Sequence, residues 1–233
     1  MNKRLSCILS MIPEGKGVID VGTDHAYLPT QLALDGYSGN IIASDINEKP
    51  LRKAVHTACE AGVENKITFL LCDGLEKCNP RLVDTIVIAG MGGDNICGIL
   101  DRAEWCMHRF YRIILQPMTK PEILRFWLAC NGFEFLEERL VQDSGEIYQI
   151  FSVQYGNRIS LSDAELYTGS YELASKSSLF EKQLEIYIGR FEKACSSMSE
   201  SADIKVCARY NLYRKILNEF YNMREKYKRS LVQ

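Results

Sequence analysis

Two carboxylates, a glycine, a hydroxyl and an imidazole fall within six residues at Asp20-Val21-Gly22-Thr23-Asp24-His25, directly after the apolar pair Val18-Ile19. Four more polar or glycine-rich turns close short apolar runs: Asp45, Asp73-Gly74, Gly90-Met91-Gly92-Gly93 and Gln116-Pro117. An apolar run that ends in such a turn reads as a buried parallel strand with its loop. In an open parallel sheet the carboxyl ends of the strands line one crevice, and ligands bind there. Asp45 closes the second run. A carboxylate there can accept hydrogen bonds from both hydroxyls of a ribose, or it can serve a local turn beside Asn47. Asp73 can accept from an adenine amino group, although Asp-Gly is also a common turn pair.

The first turn is not G-x-G-x-x-G. A dinucleotide needs its pyrophosphate cradled by glycine backbone at a helix N-terminus. Here Asp24 and His25 take that place, and Asp24 repels a pyrophosphate. S-adenosylmethionine has no phosphate and carries a sulfonium and an ammonium, which acidic side chains favour. This contrast points to a methyltransferase rather than a nicotinamide enzyme. Three glycines in four positions, Gly90 to Gly93, bare the backbone where a helix-entry turn needs one. The Asn/Asp-Pro-Pro-aromatic group used to methylate exocyclic amines is absent from this place. A ring nitrogen such as adenine N1 has an in-plane lone pair and needs orientation more than activation. His25 and Tyr27 can place the target or the cofactor, and His25 can equally be a turn hydrogen-bonding group. Gln116-Pro117 either borders the target pocket or simply ends a strand.

The elements that must position these residues follow from periodicity. Leu5, Ile8, Leu9 and Ile12 predict an amphipathic helix over 3–11. A strand over 17–21 leads into the turn. A helix over 27–35 follows, with Leu28, Leu32 and Leu34 inward and Pro29 in its first turn. Strands are expected over 41–44, 67–71, 85–89 and 112–115. Between them come a helix capped by Asn47, with Leu51, Ala54, Val55 and Ala58 on one face, and a helix over 95–103 capped by Asp94. A helix over 121–130 precedes an antiparallel hairpin, 133–141 with 147–153, around Asp143-Ser144-Gly145. This order implies an α/β fold: a doubly wound, mostly parallel, Rossmann-like sheet with an antiparallel edge. A boundary near 156–162 divides a cofactor-binding domain, 1–157, from a helical domain, 158–233. The helical domain opens on a possible capping box, Ser162 with Glu165. Phe180, Leu184, Tyr187, Phe191 and Cys195 form one apolar seam. Ile204, Ala208, Leu212, Ile216, Phe220, Met223 and Tyr227 form another, with a break at 196–202. Two helices pairing antiparallel, like a coiled coil, would bury both.

The net charge of −2 over 233 residues gives no overall bias toward a polyanion, so such a partner must meet a local patch. Residues 205–233 supply one, with eight basic and two acidic side chains. Lys205, Arg209, Arg214 and Lys215 can hold phosphates there, or they can form a solvated helix face. Nine cysteines without a C-x-x-C pair read as reduced thiols. His25, His56 and His108 are scattered, so no metal site is expected. No apolar run approaches a membrane span and the first residues carry no leader pattern, so a cytoplasmic monomer is expected.

Asp20-Val21-Gly22-Thr23-Asp24-His25-Ala26-Tyr27-Leu28-Pro29, with Asp73-Gly74-Leu75, Ile88-Ala89-Gly90-Met91-Gly92-Gly93 and Leu115-Gln116-Pro117, closely resembles the bacterial tRNA (adenine(22)-N1)-methyltransferase family. The match spans about residues 3–155, and the helices after 160 look like that family's coiled-coil domain. The resemblance implies a class I S-adenosylmethionine-dependent enzyme that modifies N1 of an adenosine in the tRNA D-arm region. It implies cofactor contacts along Asp20, Gly22, His25, Ala26, Asp45, Asp73, Gly74, Gly90 and Met91. The target base would approach Tyr27, Gly92, Gly93 and Pro117. Asp24 and His25 are the candidate catalytic groups, Asp24 as a countercharge to the cationic product, and no general base is identified. The competing readings are a methyltransferase for another RNA, a protein or a small molecule, and a non-catalytic cofactor-binding module.

Overall fold

Strand β1 (Gly17–Val21) is buried at every position and is the middle one of the five parallel strands in a seven-stranded sheet. The computed structural model describes residues 2–199 and 203–231. Beside β1 lie β2 (Asn40–Asp45), β3 (Ile67–Leu71), β4 (Thr85–Gly92) and β5 (Arg112–Thr119), all parallel, in the order β3-β2-β1-β4-β5-β7-β6. The hairpin β6 (Phe133–Asp143) and β7 (Glu146–Tyr155) closes one edge antiparallel. Helix α1 (Lys3–Leu9) precedes the sheet, and the helices between strands are α2 (Tyr27–Leu34), α3 (Glu48–Glu60), α4 (Gly93–Asp101) and α5 (Pro121–Cys130).

The strands read as unbroken apolar runs because both faces of the sheet are covered. Successive residues point to opposite faces. Ile19, Val21, Ile86 and Ile88 pack with Ile96 and Leu100 of α4 and Leu124 and Leu128 of α5. Val18, Ile41, Ala43 and Val87 pack with Ile8 of α1, Leu28 and Leu32 of α2, and Ala54 and Ala58 of α3. Leu34 is exposed, because it lies about 200° around α2 from Leu32. Val55 is likewise exposed, turned away from Ala54 and Ala58. Cys72 is buried and Cys130 exposed, both as free thiols.

Three expectations near the strand ends are corrected. β4 and β5 do not stop at Ala89 and Leu115 but continue as a pair, Met91 opposite Pro117 and Gly92 opposite Thr119. Gly90, at φ 80°, absorbs the register shift between Ala89 and Met91. Pro117 is tolerated because β7 pairs with β5 only through Leu115. Helix α4 starts at Gly93 with Gly92 as its N-cap, so Asp94 lies inside the first turn, bonded to Lys120. Asn47 holds the N-cap position of α3 without a side-chain cap, and its N–H donates instead to Asp45 Oδ1 at 2.8 Å.

The backbone divides into two compact units, Met1–Ile159 and Ser160–Gln233. In the second, the Ser162–Glu165 capping box starts a short helix, α6 (Asp163–Thr168), followed by α7 (Tyr171–Ala174). Neither short helix has a periodicity that marks it in the sequence. The long pair is α8 (Phe180–Met198) and α9 (Ile204–Ser230), and residues 200–202 of the expected break lie outside the described residues. Phe180, Leu184, Ile188, Phe191 and Cys195 meet Ile216, Leu217, Phe220, Met223 and Tyr227 as a buried seam. The expected seam fails at the start of α9, where Ile204, Ala208 and Leu212 are exposed. Helix α6 covers only the later turns, its Ala164 N–H donating to Glu219 at 2.9 Å.

Two glycines separate packing from helix propensity. A Cβ at Gly93 would lie 2.3 Å from the Lys120 carbonyl oxygen, whereas one at Gly189, inside α8, would meet nothing within 4 Å. Gly93→Ala is expected to lower the unfolding free energy by about 2 kcal/mol or more. Gly189→Ala is expected to raise it by about 0.5–1 kcal/mol. Denaturant titration of both variants checks the opposite signs.

Candidate active site

The turn after β1 is fastened to its neighbour by main-chain bonds. The Gly22 and Thr23 N–H groups both donate to the Ser44 carbonyl of β2, at 2.8 and 3.0 Å. Gly22 takes φ 76°, and a Cβ there would lie 2.1 Å from Met91 Cε. Asp24 and Ala26 also have positive φ, 40° and 49°, a conformation that costs a non-glycine residue about 1 kcal/mol or more. The Ala26 N–H donates to the Thr23 carbonyl at 2.8 Å, and Ala26 is fully buried as the N-cap of α2. The tight path tips the polar side chains of Thr23, Asp24 and His25 toward the carboxyl ends of the strands.

Two adjoining hollows share Gly22. The larger, of about 510 Å³, holds Gly22, Asp45, Asp73, Gly74 and Met91, together with Ile46, Ile99 and Arg102. Asp45 is buried at the end of β2. Arg102 donates to Asp73 Oδ1 at 2.9 Å and also pairs with Glu76 at 3.4 Å. The smaller, of about 310 Å³, holds Asp20, Gly22, Thr23, Asp24, His25, Tyr27 and Gly90, with Asn2 and Arg4 from the first helix and its cap. The His25 and Tyr27 rings stack 5.2 Å apart and 8° from parallel, and Tyr27 is 52% exposed. Asp24 lies 3.6 Å from His25 Nε2 and 3.5 Å from Lys53 Nζ.

Asp20 is the unusual group. Only 9% of it is exposed, and its side-chain hydrogen bond among the described residues comes from the Thr23 hydroxyl at 2.7 Å. Burial pushes its carboxyl up to about 6, against the Thr23 bond and the charge of Arg4, and Asp45 adds to the rise.

Several expected site residues stand elsewhere. Gly92, Gly93 and Pro117 line neither hollow. Gly93 is packed on Lys120, Gly92 approaches Thr119 Oγ1, and Pro117 is buried in β5. Ala26 shapes the turn from beneath. On α9, Lys215 is paired with Asp163 at 2.7 Å and Glu219 at 3.9 Å, so its charge is already matched. Lys205, Arg209 and Arg214 are exposed and form no ion pair among the described residues. Arg4, Ile46, Ile99 and Arg102 are the additions. Ile46 follows Asp45 directly and was legible as its neighbour, whereas nothing in the sequence marks Arg4.

The donor set decides which ligand fits. The amides of Gly22 and Thr23 are spent on Ser44, so these two donors are not offered to a pyrophosphate. A buried carboxylate with one neutral partner suits a cation. Asp45 beside the apolar Ile46 and Ile99 suits a ribose and a flat base. These residues fit a nucleoside joined to a cationic tail, as in S-adenosylmethionine.

Residues 1–151 match a protein family described as a methyltransferase domain, so the chain is a methyltransferase-fold protein of that class. A Bacillus subtilis (strain 168) relative, tRNA (adenine(22)-N(1))-methyltransferase, is 30% identical over 209 residues, 87% of each chain. The chain belongs to the tRNA (adenine(22)-N(1))-methyltransferase family. The crystal structure of the B. subtilis M1A22 tRNA methyltransferase TrmK superposes with a TM-score of 0.79 at 28% identity, covering 98% of this chain and 97% of that one. A Streptococcus pneumoniae protein solved in complex with S-adenosyl-L-methionine gives a TM-score of 0.82 at 28% identity, covering 96% and 99%.

The raised carboxyl of Asp20 has a thermodynamic consequence. The folded state holds this proton to higher pH than the unfolded chain, whose carboxyl keeps the ordinary value of 3.8. The associated stability is therefore complete below about pH 4 and is lost as pH rises through about 6, leaving a penalty of about 3 kcal/mol. Asp20→Asn is expected to raise the unfolding free energy at pH 7.5 by about 1–3 kcal/mol and to flatten its dependence between pH 4 and 6. Denaturation at pH 5 and pH 7.5 measures both.

Proposed function

We propose that this protein transfers a methyl group from S-adenosylmethionine to N1 of an adenosine in tRNA, at position 22 as in the family to which it belongs. The observation that carries this reading is the pair of hollows around Gly22, with the buried, underpartnered Asp20 on one side and Asp45 on the other. The cofactor supplies a methyl group made electrophilic by its sulfonium. Asp45 accepts from the ribose hydroxyls, and Ile46 and Ile99 flank the base. Asp73, held by Arg102, and Gly74 set the far edge of that hollow, Met91 lies near the shared Gly22, and Gly90 lines the smaller hollow. Asp20 takes the ammonium.

N1 attacks through an in-plane lone pair, and no proton has to leave it first. The chain therefore acts by position and needs no general base. The exposed Tyr27 ring, backed by His25, offers a stacking surface for the target adenine. Asp24, beside His25 and Lys53, places negative charge near the ring that becomes cationic on methylation. N1 lies on the pairing edge, so the adenosine must be turned out of its partners to react. Lys205, Arg209 and Arg214 on α9 supply phosphate contacts. Gly92, Gly93 and Pro117 frame the β4–β5 ledge rather than touching the base. The chain works in the cytoplasm as a monomer and needs no metal, since a sulfonium leaving group requires no Lewis acid. Among the described residues, no helix is long and apolar enough to cross a membrane.

Incubation with methyl-labelled S-adenosylmethionine and an unmodified tRNA transcript is expected to give one labelled product, mapped as N1-methyladenosine at position 22. Label elsewhere in the tRNA, or none, sinks the specific assignment. Reversal of Lys205, Arg209 and Arg214 to Glu is expected to weaken tRNA binding and to lower the slope of log K against log salt by roughly 2–3. Unchanged affinity with altered stability would make these cations a solvated face.

A further inference from the structure

Methyl transfer to a ring nitrogen moves a charge. The S–CH3 bond breaks with its electron pair left on sulfur, the N1 lone pair forms the new N–C bond, and no proton leaves. The cofactor starts as a cation and ends neutral, while the adenine starts neutral and ends as a cation. A nucleotide turned out of its partners also brings its backbone phosphates to the rim of the site. The rim must therefore meet the phosphates with positive charge and then offer negative charge to the ring.

Side chains of both signs stand together at the mouth of the smaller hollow. Asp24 lines it beside the exposed Tyr27. Lys53 of α3 brings its Nζ to 3.5 Å from Asp24 Oδ1. His25 Nε2 lies 3.6 Å from Asp24 Oδ2, and its ring stacks on Tyr27. Asp24 thus stands between a lysine of the neighbouring helix and the surface offered to the base. Lys49 lies one turn before Lys53 on the same face of α3, exposed and with no ion pair among the described residues. Ala54 and Ala58, packed against the sheet, fix the orientation of that helix.

The Lys53–Asp24 pair is readily exchanged. Its side chains are 46% and 58% exposed, and an ion pair that open to solvent contributes little. The Arg125–Glu138 pair is the contrast, with side chains 1% and 4% exposed at 2.8 Å, so that parting them would strand a buried charge. Asp24 does not depend on Lys53 for its place. The Thr23 N–H before it donates to Ser44, and the Ala26 N–H after it closes on the Thr23 carbonyl.

We propose that Lys53 changes partner when tRNA binds: its ammonium moves from Asp24 to a backbone phosphate of the turned-out nucleotide, Lys49 takes the next phosphate, and Asp24 is left to face the ring that becomes cationic. This assignment rests on the tRNA reading given above. It gives the sheet domain its own grip on the substrate, apart from α9, and it makes the charge of Asp24 available only once the substrate is seated.

The test measures binding of two RNAs to the full chain with S-adenosylhomocysteine present: an unmodified tRNA transcript, and the same tRNA carrying N1-methyladenosine at position 22. Lys53→Met is expected to weaken the unmodified tRNA roughly 3- to 10-fold and to lower the slope of log K against log salt by about 0.7–0.9. Its calorimetric affinity for S-adenosylhomocysteine should stay within about twofold, and Lys53→Arg should keep the tRNA affinity. Asp24→Asn, a side chain that tolerates positive φ, releases Lys53. It is expected to bind unmodified tRNA at least as tightly as wild type and the methylated tRNA less tightly. The loss caused by Lys53→Met should persist in the Asp24→Asn background. A loss that vanishes in that background overturns the proposal, because Lys53 then serves only to hold Asp24. An unchanged salt slope in Lys53→Met overturns it too, as does an Asp24→Asn variant with wild-type discrimination between the two RNAs. Wild-type protein that neither binds nor methylates tRNA overturns the tRNA reading itself, and the role of Lys53 with it.

Discussion

A carboxylate held out of water at the end of the central strand is the constraint on which the site depends. Asp20 lies between Ile19 and Val21 of β1, the strand with neighbours on both sides and helices on both faces. No residue there can escape to solvent without unmaking the sheet. The charge is moderated by the Thr23 hydroxyl and by the positive charge of Arg4. The rest of the fold tolerates this because the surrounding strands are fully packed, and the stability lost at Asp20 is concentrated where a cationic ligand can restore it. A stable sheet and a poised site are thus two consequences of one placement.

The ends of the strands are unequal in height. β1, β2 and β3 stop at Val21, Asp45 and Leu71, while β4 and β5 continue as a bulged pair to Gly92 and Thr119. Gly90 makes the bulge possible, and Gly93 lets α4 leave immediately against the Lys120 backbone. The glycines at 90–93 therefore answer to different needs. One bends the strand, one caps the helix, and one permits close packing. Their shared residue type had suggested a single bare loop.

Much of this was legible in the sequence. The parallel strands showed as apolar runs because both faces of the sheet are covered. The first turn showed as a cofactor site because its acidic residues stand where phosphate-binding glycines would be. The overrun of β4 and β5 was not legible, since a bulge is a property of pairing and Gln116-Pro117 reads locally as a stop. Arg4 could not be found either, because its partner Gln116 lies 112 positions away and neither residue has a telling neighbour. In the second unit, a regular apolar spacing marked α9 but could not tell whether a partner covers each turn, and Ile204 and Leu212 are bare. Lys215 shows the converse, a basic residue in a basic helix whose charge is taken up by Asp163.

The bonds from Gly22 and Thr23 to the Ser44 carbonyl have an evolutionary implication. Choice between cofactors is often credited to side chains, which single substitutions can exchange. Here the first two main-chain donors of the turn are already consumed by the neighbouring strand. Removing Asp24 or His25 would lift a repulsion without freeing those two donors. To change cofactor, a descendant of this protein would have to rebuild the joint between two central strands. Its allegiance to one donor is therefore guarded by the architecture of the sheet, and drift at the surface of the pocket cannot easily undo it.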